Sequence, residues 1–331
     1  MRIALDAMGG DGAPGVPLRA ALEALEEGGD RALAVTLVGD PAVLEEPVRA
    51  SGHTADRLTV APASEAIGMD EPPVQAVRRK RDSSIVVGLE LVRGGEADAF
   101  VSAGSTGAVL AASLFALGRL PGVDRPTVGA MFPTAASPVL VLDAGANVDC
   151  RPAHLHQFAH LGSIYVRDVR GTPEPRVGLL NVGEEEEKGD ARSVGAHELL
   201  AGDPGLRFVG NVEGDRIIAG ACDVLVTDGF AGNVLLKFYE SMAGFVTGLL
   251  REGGSRAGRA DRQTEEVLRM LDYTEYGGAP LLGVDGVVVL CHGGSPARAV
   301  RNALRVAAES VAAGMVDDLR RDLSALAGRS A

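Results

Sequence analysis

The sequence predicts an α/β protein, a mostly parallel, Rossmann-like sheet with helices on both faces. Two observations lead there. Short apolar runs alternate with Ala-rich helical patterns from end to end of the 331 residues, the mark of right-handed βαβ units. Aromatic residues make up only 4% and Trp is absent, so the core falls to Ala, Val, Leu and Ile, which suits helices packed closely on parallel strands. The length admits one large domain or two smaller ones. With no low-complexity tract or repeat, residues 1–331 are read as a single α/β domain.

In chain order the predicted strands are 3–5, 33–38, 58–60, 99–102, 127–132, 139–143, 177–181, 208–209, 224–227 and 287–290. Helical patterns fall between most of them, as at 18–27, 83–93, 106–117, 153–166 and 296–312. The runs 127–132 and 139–143 are joined by a short Pro-Thr-Ala-Ala-Ser connection with no room for a helix, so they are expected to pair antiparallel. Within 234–250, Leu235, Phe238, Tyr239, Met242, Phe245, Val246 and Leu249 recur at spacings of three and four. That makes one apolar stripe, for core or dimer packing. A polar link at 251–262, REGGSRAGRADR, joins this helix to another, so 234–272 reads as a helical hairpin extension.

Bulk properties exclude several classes. The net charge of −13 argues against a nucleic-acid partner, which needs clustered cationic charge, and against wholesale electrostatic attachment to anionic lipid. Three cysteines, Cys150, Cys222 and Cys291, make neither a disulfide framework nor a CxxC pair, so no structural zinc site and no other metal is expected. The N-terminus enters a strand directly, without the basic and apolar regions of a signal peptide. No apolar stretch approaches the ~20 residues of a membrane span. A cytoplasmic protein is expected.

In open α/β sheets, ligands gather beyond the carboxyl ends of strands. After the first strand, DAMGGDGAPG at 6–15 contains Gly10-x-Gly12-x-x-Gly15, nominally a dinucleotide fingerprint. Asp6 and Asp11 bracket the pyrophosphate position and would repel it, and the acid ending the second strand, Asp40, comes late for a ribose contact. The plainer reading is a tight turn with glycines at positive φ. After the fourth strand, Gly104, Ser105, Thr106 and Gly107 open a helix whose unsatisfied N–H groups attract an anion; helix capping by Ser105 is the alternative. Asn147 in DAGAN, Lys188 in NVGEEEEKG, and Asp228, Gly232 and Asn233 in TDGFAGN lie on later strand-end turns. An acidic run is usually a solvated helix start, but a lone cation beside a glycine suits an anion. Gly293, Gly294 and Ser295 form one more anion-facing helix start. Cys291 and His292, adjacent in a strand, point to opposite faces, so Cys291 is expected to be a small core residue and not a nucleophile.

Taken in order, DAMGGD at 6–11, SAGSTGA at 102–108, DAGAN at 143–147, NVGEEEEKG, FVGNVEGDRI at 208–217, TDGFAGNVLLK at 227–237 and YGGAPLLGVDG at 276–286 resemble the PlsX family of acyl-ACP:phosphate acyltransferases. The likeness spans essentially the whole chain, except that the 251–262 link has no counterpart. It implies a fold like the isocitrate and isopropylmalate dehydrogenases and the phosphotransacetylases, a homodimer, and no organic cofactor. The implied reaction is transfer of a fatty acyl group from acyl carrier protein to inorganic phosphate, giving acyl-phosphate for phospholipid synthesis. It further implies peripheral membrane contact near 249–250 and 267–268 and handover to a membrane glycerol-3-phosphate acyltransferase.

The residues suit that chemistry, because a phosphate dianion attacking a thioester needs its charge held and the developing oxyanion needs donors. Lys188 and Asn233 are the candidates to contact the reacting phosphate or carbonyl, and the Ser105–Thr106 turn to add donors. Asp228 is expected to position its neighbours, since phosphate is already a nucleophile. An acidic carrier protein docking on an acidic enzyme needs a local basic patch. Arg78, Arg79, Lys80 and Arg81 are the densest run, with Arg251, Arg256, Arg259 and Arg262 second. An NAD-dependent decarboxylating dehydrogenase of the same fold and a short-chain phosphotransacetylase using coenzyme A are the alternatives.

Overall fold

A strand whose side chains are buried on both faces must be covered on both, and here most strands are of that kind. The computed structural model describes residues 1–27, 33–257 and 275–327. In chain order come β1 (Arg2–Asp6), α1 (Gly15–Glu27), β2 (Ala34–Gly39), α2 (Pro41–Ala50), β3 (Leu58–Pro62), α3 (Pro73–Arg79), α4 (Ser84–Arg93), β4 (Ala99–Ser102) and α5 (Thr106–Ala116). They are followed by β5 (Thr127–Phe132), β6 (Val139–Leu142), α6 (Pro152–Asp168), β7 (Arg176–Leu180), α7 (Ala191–Ala201), β8 (Arg207–Val212), β9 (Val224–Val226) and α8 (Gly229–Ala257). The described chain closes with β10 (Ala279–Leu282), β11 (Val287–Leu290), α9 (Ala297–Ala312) and α10 (Met315–Ala327).

The chain forms two compact units, residues 1–126 with 277–331, and residues 127–276. In the first unit the strand order is β3-β2-β1-β4-β11-β10. Its first five strands are mutually parallel and β10 pairs antiparallel with β11. Register is set by apolar pairs such as Ile3 with Val35 and Ala99, and Phe100 with Val288. Every residue of β2, β4 and β11 is buried, so both faces of this sheet are covered. In the second unit the order is β5-β6-β9-β7-β8. All neighbours are parallel there except β5 and β6, the antiparallel pair expected from their short connection. The cores are aliphatic, with Phe100, Phe132, Phe158 and Tyr165 the largest fully buried side chains.

The structure departs from the pattern reading at three places. Strand β10 lies outside the runs read as strands; it carries Pro280, and proline argues against a strand, but here Pro280 faces Val289 in the antiparallel β10–β11 pair. Helix α8 starts at Gly229, five residues ahead of the apolar stripe, because Asp228 caps it through the Phe230 and Ala231 N–H groups. The same helix runs on through residues 251–257, the first half of the polar link. The return limb of the hairpin read at 234–272 lies outside the described residues.

Helix α8 carries two apolar surfaces. Tyr239 stacks obliquely on Phe132 at 5.2 Å between ring centroids, tying the helix to the sheet of its own unit. Phe230, Val234, Phe238, Phe245 and Leu249 are each more than half exposed, from 54% to 64%. No described helix is long and apolar enough to cross a membrane.

Phe100 sits fully buried in β4, between β1 and β11. Truncating a buried Phe costs about 3–5 kcal/mol. Phe100→Ala is therefore expected to lower the urea-unfolding free energy by that amount; a loss under about 1 kcal/mol would contradict the packing described.

Candidate functional site

In the second unit, β6, β9 and β7 are parallel neighbours, so the turns leaving their carboxyl ends lie side by side. The Asp143 carboxylate organises the first of them. It is fully buried, and its Oδ1 accepts from the N–H groups of Val128 (3.2 Å), Gly145 (3.2 Å) and Ala146 (3.1 Å). Its Oδ2 accepts from the Asn147 backbone (2.6 Å) and side-chain amide (2.8 Å). Burial pushes the Asp143 carboxyl up, against the pull of the Ala146, Asn147 and Val128 donors. The first turn of α8 presses against the same place: a Cβ on Gly232 would stand 1.9 Å from the Asp143 carbonyl oxygen, so only glycine fits. The Gly229 N–H donates to the Asn147 carbonyl at 2.7 Å.

Asp228 is buried and has two tasks. Oδ1 caps α8, accepting from Phe230 (2.9 Å) and Ala231 (3.1 Å), and Oδ2 lies 3.0 Å from Arg192 Nη2. Arg192 also pairs with Asp190 at 3.0 Å, and Asp190 caps α7 through the Ser193 N–H at 2.8 Å. One guanidinium thus ties the starts of α7 and α8 together, and its position within Asp-Ala-Arg carries no sequence pattern that marks it.

Two predicted residues remain exposed to solvent beside this framework. Lys188 ends the acidic turn after β7; its backbone is held by Glu185 and Asn181, and its stem lies over Gly183. Among the described residues no carboxylate pairs with its ammonium. The Asn233 side chain lies over Gly145, with Oδ1 3.4 Å from the point a Cβ there would occupy. Asn147 and Gly232 belong to the framework: the Asn147 amide is donated to Asp143, and the Gly232 N–H to the Asp228 carbonyl.

In the first unit, β1, β4 and β11 are parallel neighbours, and their turns are packed on one another. Ser102 Oγ donates to Asp6 Oδ2 at 2.7 Å and accepts from the Gly104 N–H at 2.9 Å; Met8 N–H donates to Asp6 Oδ1 at 3.0 Å. Burial pushes the Asp6 carboxyl up, against the hydrogen bonds from Ser102, Ser84 and Met8. Among the glycines of the first turn only Gly10 has positive φ, +90°, and a Cβ there would stand 2.9 Å from the Gly293 carbonyl oxygen and 3.1 Å from the Ala103 Cβ. Gly9 likewise leaves no room for a side chain, because a Cβ there would run into the Asp6 carboxylate and the Gly104 nitrogen, so these glycines serve close packing.

The Gly104 N–H is thus donated to Ser102 Oγ. At the turn after β11, the Gly294 N–H donates to His292 Nδ1 and the Ser295 N–H to the His292 carbonyl. The Asp11 carboxylate lies against Gly293 and Gly294, a poor setting for a second anion. At the start of α5, buried Ser105 makes no capping hydrogen bond and Thr106 is exposed. Cys291 is buried, its thiol pushed up to about 12 by burial, while His292 is exposed; both lie just past the end of β11 at Leu290 and not within the strand. All three cysteines are free and buried.

Removing the Asp143 carboxylate would leave several buried N–H groups without an acceptor, at about 1–3 kcal/mol each. Asp143→Ala is expected to cost at least about 3 kcal/mol in chemical denaturation; a near-neutral change would show that the turn does not depend on it.

Comparison with known proteins gives a consistent picture. The profile of a family described as "Fatty acid synthesis protein" matches residues 1–317. The phosphate acyltransferase of Desulforamulus reducens is 48% identical over 333 residues, covering 98% of this chain and 97% of that protein. That of Heliobacterium modesticaldum is 50% identical over 319 residues, 94% of each. Among solved structures, a phosphotransacetylase from Streptococcus pyogenes superposes with a TM-score of 0.64 at 19% identity, covering 96% of this chain and 94% of that one; it shares the fold.

Proposed function

The chain belongs to the fatty acid synthesis protein family of phosphate acyltransferases, and from that premise we propose that it transfers a fatty acyl group from acyl carrier protein to inorganic phosphate. One phosphate oxygen bonds to the thioester carbon, the carbon–sulfur bond breaks, and the phosphate proton ends on the departing thiolate. No covalent acyl-enzyme is involved; the three thiols are buried. Lys188 holds the phosphate, and Asn233 contacts the phosphate or the polarised carbonyl. The observation that carries this assignment is the exposed Lys188 ammonium, which pairs with no carboxylate among the described residues, on a strand-end turn of the unit whose Asp143 and Asp228 carboxylates are engaged by N–H groups and Arg192. Asp228, saturated by two N–H groups and Arg192, holds the α8 start in place. In the first unit, the uncapped start of α5 at Ser105–Thr106 supplies anion-facing N–H groups.

The acyl-phosphate product serves phospholipid synthesis, passing to a membrane glycerol-3-phosphate acyltransferase. The enzyme works as a cytoplasmic homodimer that touches the inner face of the membrane peripherally. The exposed apolar row on α8 supports both contacts, with Leu249 at its far end; the segment read near 267–268 lies outside the described residues.

The deciding assay supplies phosphate with acetyl-CoA, long-chain acyl-CoA or acyl carrier protein thioester and measures acyl-phosphate. Turnover is expected with the long-chain carrier-protein thioester, and Lys188→Ala and Asn233→Ala should each reduce it by about 100-fold or more. Preference for acetyl-CoA, or NAD-dependent oxidation instead, would overturn the reading. Near wild-type turnover in both variants would remove these two residues from it.

Carrier-protein docking is assigned to the exposed Arg78, Arg79 and Arg81 around the end of α3, where Arg78 lies 5.4 Å over the Phe115 ring. Lys80 is committed to Glu71 and the Ala66 carbonyl. Reversing Arg78 and Arg79 to Glu is expected to raise KM for the carrier-protein thioester several-fold, with kcat unchanged. An unchanged KM would exclude the patch.

A further inference from the structure

Helix α6 places His156 and His160 one turn apart on the same side. Both imidazoles reach a single atom. His156 Nε2 and His160 Nε2 each lie 2.7 Å from Asp203 Oδ2, on the turn between α7 and β8. The rings meet edge to face, 4.9 Å between centroids and 87° apart, so their Nε2 atoms converge without stacking. The Gly205 N–H donates to Asp203 Oδ1 at 2.7 Å. That bond orients the carboxylate and leaves Oδ2 turned to the two rings.

The three candidate ligand atoms lie within 4.8 Å of one another. Two imidazole nitrogens and one carboxylate oxygen form a donor set for a borderline divalent cation. Bonds of 2.0–2.2 Å in a tetrahedral arrangement put ligand atoms about 3.3 Å apart, so the two 2.7 Å contacts would each open by about 0.6 Å as the rings turn to face the ion. His160 is nearly buried, with 8% of its side chain exposed, whereas His156 keeps 28%. The cluster therefore opens to solvent on one side.

We propose that His156, His160 and Asp203 form a binding site for one divalent transition-metal ion of the zinc class, with a water completing its coordination on the solvent side. The ion would clamp α6 to the carboxyl end of α7, the helix whose first turn presents Arg192 to Asp228. Its role is to stiffen that scaffold, and it takes no part in the transfer chemistry.

The test uses the full chain, stripped with chelator and titrated with Zn2+ in a calorimeter and with Co2+ in a spectrophotometer. Wild type is expected to bind one Zn2+ per chain, to melt at higher temperature when loaded, and to give a visible Co2+ band of low-symmetry coordination. His156→Ala and Asp203→Asn, with folding checked by circular dichroism, should each lose affinity by more than the roughly 10–100-fold that outer-shell changes cost. A wild-type protein without the Co2+ band, or Zn2+ binding equally to wild type and folded His156→Ala, would overturn the proposal. Either result would leave a hydrogen-bonded His–Asp–His cluster. Should Asp203→Asn fail to fold, the half-exposed His156 variant and the wild-type Co2+ spectrum still decide.

Discussion

A carboxylate buried at the end of a strand must be met by donors, and the way Asp143 is met shapes everything at that end of the second unit. Its two oxygens gather N–H groups from Val128, Gly145, Ala146 and Asn147. Those bonds close the turn after β6. The closed turn in turn gives α8 a surface to press against, so close at Gly232 that no side chain is admitted. Asp228 then caps α8 and reaches Arg192, which carries the constraint to the start of α7. Neutralising or removing a buried, hydrogen-bonded charge exposes the cost of every donor it had satisfied, so this carboxylate is a single point on which three turns depend.

The first unit uses the same device in a different form. Asp6 ends β1, and Ser102 Oγ relays its charge to the Gly104 N–H on the next turn. The relay locks two turns, and the Asp11 N–H bond to the Gly293 carbonyl at 2.8 Å locks a third. In both units, glycine and acid at strand ends build a rigid rim. Within each unit the acids of that rim are met by donors of the rim itself; among the described residues the Lys188 ammonium pairs with no carboxylate, the Arg192 Nε is buried without a partner, and Ser105 makes no capping bond at the start of α5. Preorganised groups on a stiff support are what charge stabilisation in acyl transfer requires.

The His156–His160–Asp203 cluster belongs to the same scaffold viewed from the other end of α7. Helix α7, which presents Arg192 at its first turn, is followed by the turn whose Asp203 meets His156 and His160 of α6. A spacing of four on one helix placed the two imidazoles together; the carboxylate came from 43 residues beyond His160.

The amino-acid sequence alone determined the alternation of strands and helices, the antiparallel β5–β6 pair, the aliphatic core and the strand-end turns as the place of interest. These follow from local periodicity and turn chemistry, which a chain carries in its own order. It missed β10, which carries Pro280, and the early start of α8, set by the Asp228 cap. Only the tertiary structure decided which polar groups on those turns are available. Gly104, Asn147, Gly232, Gly294 and Ser295 read as ligands by composition, yet their N–H groups are donated within their own turns, to acceptors two to four residues away that only the folded turn brings into reach. Arg192 carries no local signature, and the spacing of four between His156 and His160 says nothing of the Asp203 carboxylate that meets them. Hydrogen-bond satisfaction is a property of which segments meet in space, and no spacing along the chain reports it.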